Sequence, residues 1–98
     1  MYANVTSGEV LPGKIDEFIK IYYESVKPIV EKIAGLENLY VLTDESNSKG
    51  LIIAVYGNKE DAENANADGH VQAAVGKLAS TLVLESIARG TYEVSIKI

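Results

Sequence analysis

At 98 residues with 47% hydrophobic side chains, the chain suits one domain, and a chain of this size buries roughly two-thirds of its unfolded surface without staples. It has no cysteine, which excludes disulfides, thiolate nucleophiles and sulfur metal ligands and suits a reducing compartment, so a cytoplasmic protein is expected. The net charge is −5, and the nine basic residues are scattered among acids with no stripe to follow a phosphate backbone, so nucleic acid is not an expected partner.

The chain opens with Tyr2 to Leu11, where Tyr2, Val5, Thr6 and Val10 alternate loosely before Pro12-Gly13, a turn pair that a strand cannot continue through. Strand one is predicted there. The polar run Asn4-Val5-Thr6-Ser7-Gly8 is no signal-peptide core, and no apolar run approaches membrane-spanning length, so no membrane partner is expected. From Lys14, the residues Ile15, Phe18, Ile19, Tyr22, Val26, Ile29, Val30 and Ile33 fall at helical spacing with charged residues opposite, which predicts a long amphipathic helix. Its wet face offers the pairs Asp16 with Lys20 and Lys27 with Glu31, each contributing about 0.2–0.5 kcal/mol. Pro28 cannot donate to the carbonyl four residues back, so a kink or short break is expected near Glu24 to Lys27, and Gly35 caps the end.

Leu36 to Asp44 alternates weakly and leads through the polar run Glu45 to Gly50 into Leu51-Ile52-Ile53-Ala54-Val55-Tyr56-Gly57, so strands two and three form a hairpin. Strand three is apolar on both faces, which places it mid-sheet with one face against the chain's own helices. Too few other segments remain to cover the second face, so a second copy is expected there and the protein is predicted to be a homodimer. Asn58 is a good N-cap, and Glu60 and Asp61 follow it in the first turn of a second, alanine-rich helix. That helix is interrupted near Asp68-Gly69 and resumes through Val71, Ala74, Val75, Leu78, Ala79 and Leu82. After Gly90, the residues Tyr92, Val94, Ile96 and Ile98 alternate with Thr91, Glu93, Ser95 and Lys97, a half-buried strand four. The order is βαββαβ, and two βαβ units with right-handed crossovers place strands one and three at the centre, running in parallel.

Leu11-Pro12-Gly13-Lys14 followed by Asp16-Glu17-Phe18 resembles the opening of antibiotic-biosynthesis-monooxygenase-like proteins. Pro28, Gly35, Asn58-Lys59-Glu60-Asp61-Ala62, Gly69-His70-Val71-Gln72-Ala73 and Gly90-Thr91-Tyr92-Glu93-Val94 also resemble that pattern, which thus spans nearly the whole chain. The resemblance implies an α+β, ferredoxin-like βαββαβ fold with a four-stranded antiparallel sheet and two helices on one face, paired into a dimeric α+β barrel. It implies a cofactor-independent oxygenase acting on a small aromatic or quinol substrate, with no metal or flavin, or else a dimeric small-ligand-binding module without catalysis. Tyr56 stands where that family usually has tryptophan. In haem-degrading relatives an iron-ligating histidine follows a pair of alanines in the second helix, whereas here Ala73-Ala74 is followed by Val75.

His70 is the only histidine, so it alone has an unperturbed pKa near neutrality and is the candidate acid/base; the plain alternative is a residue that caps the resumed helix. Tyr56 at the end of strand three and Tyr22 on the helix stripe are candidate walls of a cavity for a flat aromatic ligand, against plain core packing. Asn4 and Thr6 share one face of strand one, so polar groups stand on a covered face, either lining a cavity or satisfied by neighbours. One histidine makes no zinc site, and Asp68 and Glu63 read as solvated, so no metal is expected. No serine stands in a Gly-x-Ser-x-Gly frame, and no glycine-rich phosphate loop is present.

Overall fold

A computed structural model describes residues 1–98. Strand β1 (Tyr2–Glu9) leads through a turn, in which Gly13 takes a positive φ of 76°, into α1 (Ile15–Ile21), and α2 (Lys27–Val30) continues the same helical path. Between them Tyr22–Val26 forms a π-helical turn, with the Lys27 N–H donating to the Tyr22 carbonyl five residues back. The break falls where Pro28 places it. A five-residue step accommodates a proline that has no N–H to offer. Strands β2 (Leu36–Asp44) and β3 (Lys49–Tyr56) make the expected hairpin.

Asn58 then caps α3 (Lys59–Ala67), its Oδ1 accepting from the Asp61 N–H at 2.8 Å. The second helix breaks at Asp68, which is not simply solvated: its carboxylate accepts from the N–H groups of His70 (2.8 Å) and Val71 (3.0 Å) and so starts α4 (Gly69–Gly76). Two short 3₁₀ turns, Lys77–Thr81 and Leu84–Ser86, lead into β4 (Ala88–Glu93).

The sheet order is β2-β3-β1-β4 and every neighbouring pair is antiparallel. The expectation that strands one and three run in parallel is therefore wrong, although both are central. Each helical crossover fixes the direction of the strands that it joins, β1 with β2 and β3 with β4. Each joined pair is separated by a strand of the other unit, so neighbours oppose. This is the ferredoxin-like α+β arrangement, with the helices packed on one face.

Strand four also differs from its expected bounds, beginning before Gly90 and ending at Glu93. Glu93 pairs with Tyr2, and the Val94 N–H reaches the Met1 carbonyl at 2.9 Å; beyond that β1 offers no backbone to pair with. On α1 the expected Asp16–Lys20 pair is replaced by Lys14–Glu17 at 3.1 Å, whereas Lys27–Glu31 forms as expected at 3.0 Å. Glu63 lies 3.8 Å from Lys59.

The core lies between helices and sheet. Val10, Ile15, Phe18, Tyr22, Val26, Val30, Ala74 and Leu78 form its larger part, and Ala54, Tyr56, Ala62 and Ala65 a smaller one. The alanines let α3 approach the strands closely. Gly35, with φ of 81°, is held to glycine twice over, because a Cβ there would collide with the Asp61 carboxylate. No helix is long and apolar enough to cross a membrane.

Candidate functional site

The core leaves a cavity of about 440 Å³ between sheet and helices, within the range of small-molecule sites. Its origin is readable in side-chain size. On the helix-facing side of the two central strands, Gly8 stands opposite Gly50, Thr6 opposite Ile52 and Asn4 opposite Ala54, while Ala65, Gly76 and Ala79 line it from the helical layer. Short side chains on both layers cannot fill the gap that Phe18, Tyr22, Val30 and Leu78 leave between them.

Tyr22 is delivered by the first residue of the π-helical turn, and Tyr56 by the last residue of β3. Both rings are buried, and both line the cavity. Burial pushes the Tyr22 hydroxyl up to about 12, helped by the neighbouring Tyr56, and burial raises Tyr56 as well. Both are therefore neutral donors near pH 7. Neither hydroxyl hydrogen-bonds to the protein, and neither is fully enclosed.

Asn4 and Thr6 also line the cavity. Asn4 is satisfied by neighbours at the same time: its Nδ2 donates to the Ala62 carbonyl at 2.9 Å, and its Oδ1 accepts from Thr91 Oγ1 at 2.8 Å and Asn66 Nδ2 at 3.3 Å. Gln72 Nε2 donates to the Asn66 carbonyl at 2.9 Å, extending the network from β1 across α3 to α4. The amides tie this wall together. Of the five residues singled out in the sequence, four meet at one cavity.

His70 does not join them. Its side chain is exposed in the first turn of α4 and does not line the cavity, although Val71 and Gln72, which follow it, do. What the sequence reading missed is Arg89, the one charged residue on the wall. Because β4 begins at Ala88, Arg89 falls within the strand opposite Thr6, and Thr91 opposite Asn4. The alternation of Arg89 with Thr91 was the available signal, hidden by starting the strand after Gly90. No group of three or more histidine, aspartate or glutamate side chains gathers to hold a metal ion.

The fold is shared with SnoaB, a cofactor-independent oxygenase from Streptomyces nogalater (TM-score 0.79, 13% identity, 99% of this chain and 95% of that one). It is shared with a candidate antibiotic biosynthesis monooxygenase from Nitrosomonas europaea (TM-score 0.77, 14% identity, 98% and 100%). A conserved protein from Methanosarcina mazei Go1 is also similar (TM-score 0.76, 15% identity, 94% and 90%). No curated protein matches the sequence. At such identities these structures speak for the fold alone. The family model for antibiotic biosynthesis monooxygenase, however, matches residues 1–77, covering β1 through α4 and 18 of the 24 residues that line the cavity, with Arg89 beyond the match, and the chain belongs to that family.

Proposed function

We propose that the cavity binds a small aromatic or quinol substrate and that the protein is a cofactor-independent monooxygenase of its family. Family membership supports a monooxygenase-type or small-molecule-binding function. The observation that carries the finer reading is the largely apolar cavity of about 440 Å³ lined by two buried tyrosines whose hydroxyls have no protein partner. A flat ring fits such walls, and the hydroxyls can donate to an oxygen on it. In this chemistry the substrate's own anion reduces oxygen, the reduced oxygen bonds to the ring carbon, and loss of water leaves the quinone or ketone. The chain's share is to bind and orient the ring, exclude bulk water and hold the substrate oxygen by hydrogen bonds from Tyr22 and Tyr56.

A second reading, a binding module without catalysis, is favoured by one observation. Both cavity tyrosines are held protonated near neutrality and His70 stands outside, so the wall offers no base for a weakly acidic substrate. Oxygen uptake with a panel of hydroquinones and anthrones separates the two. Uptake by the wild type that is lost in Val75→Trp, which fills the cavity, is the expected result. Calorimetric binding without uptake would assign the module, and absence of both would overturn the cavity as a ligand site.

We propose also that the protein assembles as a homodimer and that residues 1–98 form a single domain. The sheet face away from the helices presents Leu51, Ile53 and Val55 of β3 beside Tyr40, Leu42 and Tyr92, the last three exposed by 46–61%. A second copy laid on that face would remove this apolar surface from water.

A further inference from the structure

We infer that the ligand carries an ionised acidic oxygen and that Arg89 is the residue that selects it. This rests on the cavity reading above and deepens it. Of the 24 residues that line the cavity, Arg89 is the only charged one, in a chain whose net charge is −5. An acidic protein gains nothing in general steering from a single guanidinium at an apolar wall. Nor is Arg89 committed elsewhere, since the three ion pairs of the protein are Lys14–Glu17, Lys27–Glu31 and Lys59–Glu63. The strand register sets it beside Thr6, which also lines the cavity.

Guanidinium presents a planar fork of donors that matches a carboxylate or an aromatic oxyanion. No carboxylate of the protein lines the cavity to compete for it. Tyr22 from the helical layer and Tyr56 from β3 of the sheet contribute neutral hydroxyls, so the site offers donors and one positive charge. That set accepts an anion and gives a neutral hydrocarbon only the apolar walls. Where the ionised oxygen is that of the reacting phenol itself, the ring anion arrives preformed and needs no proton acceptor in the wall.

The test compares 2-naphthoate, ionised at neutral pH, with its neutral isostere 2-naphthamide by isothermal titration calorimetry on the full chain. Wild type is expected to bind the carboxylate at least about tenfold more tightly. That preference should shrink on raising the salt concentration, as screening of a partly exposed ion pair requires. Arg89→Gln should weaken 2-naphthoate alone and abolish the preference, and Arg89→Lys should restore part of it. Should Arg89→Gln fail to fold, the salt dependence of the wild-type preference still decides. Equal binding of the two probes to wild type, or a preference that survives Arg89→Gln, overturns the role of Arg89 and leaves the cavity reading intact. Binding of neither probe overturns the cavity reading and this inference with it.

Discussion

On the helix side of β3, Ile52, Ala54 and Tyr56 look into a cavity bounded by the chain's own helices, whereas Leu51, Ile53 and Val55 on the other side meet no layer of this chain. One strand thus carries the same kind of residue toward two different surroundings. An apolar pattern specifies removal from water but not what does the removing. On the first face helices do it incompletely and leave room for a ligand; on the second, a partner must do it.

A charge placed on each face in turn should have opposite consequences. Ala54 is 8% exposed and faces the helices, so Ala54→Lys strands an ammonium in the core. The expected cost is about 3 kcal/mol or more, read as a fall in Tm of about 12 °C or more by thermal melting. A melt like that of the wild type would mean that this face is not the packed one. Val55→Lys, one residue along, should keep the far-UV circular dichroism of the wild type. Sedimentation velocity at micromolar concentration should show the wild type as a dimer and this variant as a monomer. A monomeric wild type would remove the case for a partner.

A smaller effect sharpens the description of the helix side. Tyr22 ionises at about 12 in the folded chain against an ordinary value of 10.0, so folding favours the protonated ring. Its contribution to stability is complete below pH 10 and is lost as pH rises from 10 to about 12. Tyr22→Phe should flatten that alkaline decline in a series of urea melts. Near pH 7 it should change stability by no more than about 1 kcal/mol, because the hydroxyl has no protein partner to lose. An alkaline decline that is unchanged in the variant would mean that the ring is not desolvated.

How much of this was legible follows from which signals are local. Pro28 announced the helix break, Asn58 the helix start and Asp68-Gly69 the interruption, because each acts on backbone within a few residues. Strand direction was misread because neighbours in the sheet come from different crossover units. Four cavity residues were found through their chemical type on a covered face. The cavity itself was not, since it depends on small residues far apart in the chain, such as Ala54, Ala65, Gly76 and Ala79, coming to one place, and missing side chains leave no periodic mark. Arg89 was missed with the start of β4, which pairing with β1 puts at Ala88 opposite Ser7, two residues before the glycine that marked it in the sequence.

The least disruptive substitution tests the residue that chemistry alone had favoured. His70 was the natural choice for proton transfer because only its type titrates near neutrality, but side-chain type says nothing of direction. In the fold its backbone N–H is held by the Asp68 carboxylate at 2.8 Å, and its ring is exposed outside the cavity wall. His70→Asn keeps that backbone contact, so stability should change by no more than about 1 kcal/mol. Affinity for a cavity ligand should stay within about twofold, and the pH profile of any oxygen uptake should be unmoved. A loss of about 10²–10⁴ in rate with folding intact would return the acid/base role to His70. It would then have to reach the substrate by a rearrangement of α4, since Val71 and Gln72, not the imidazole, line the cavity from that turn.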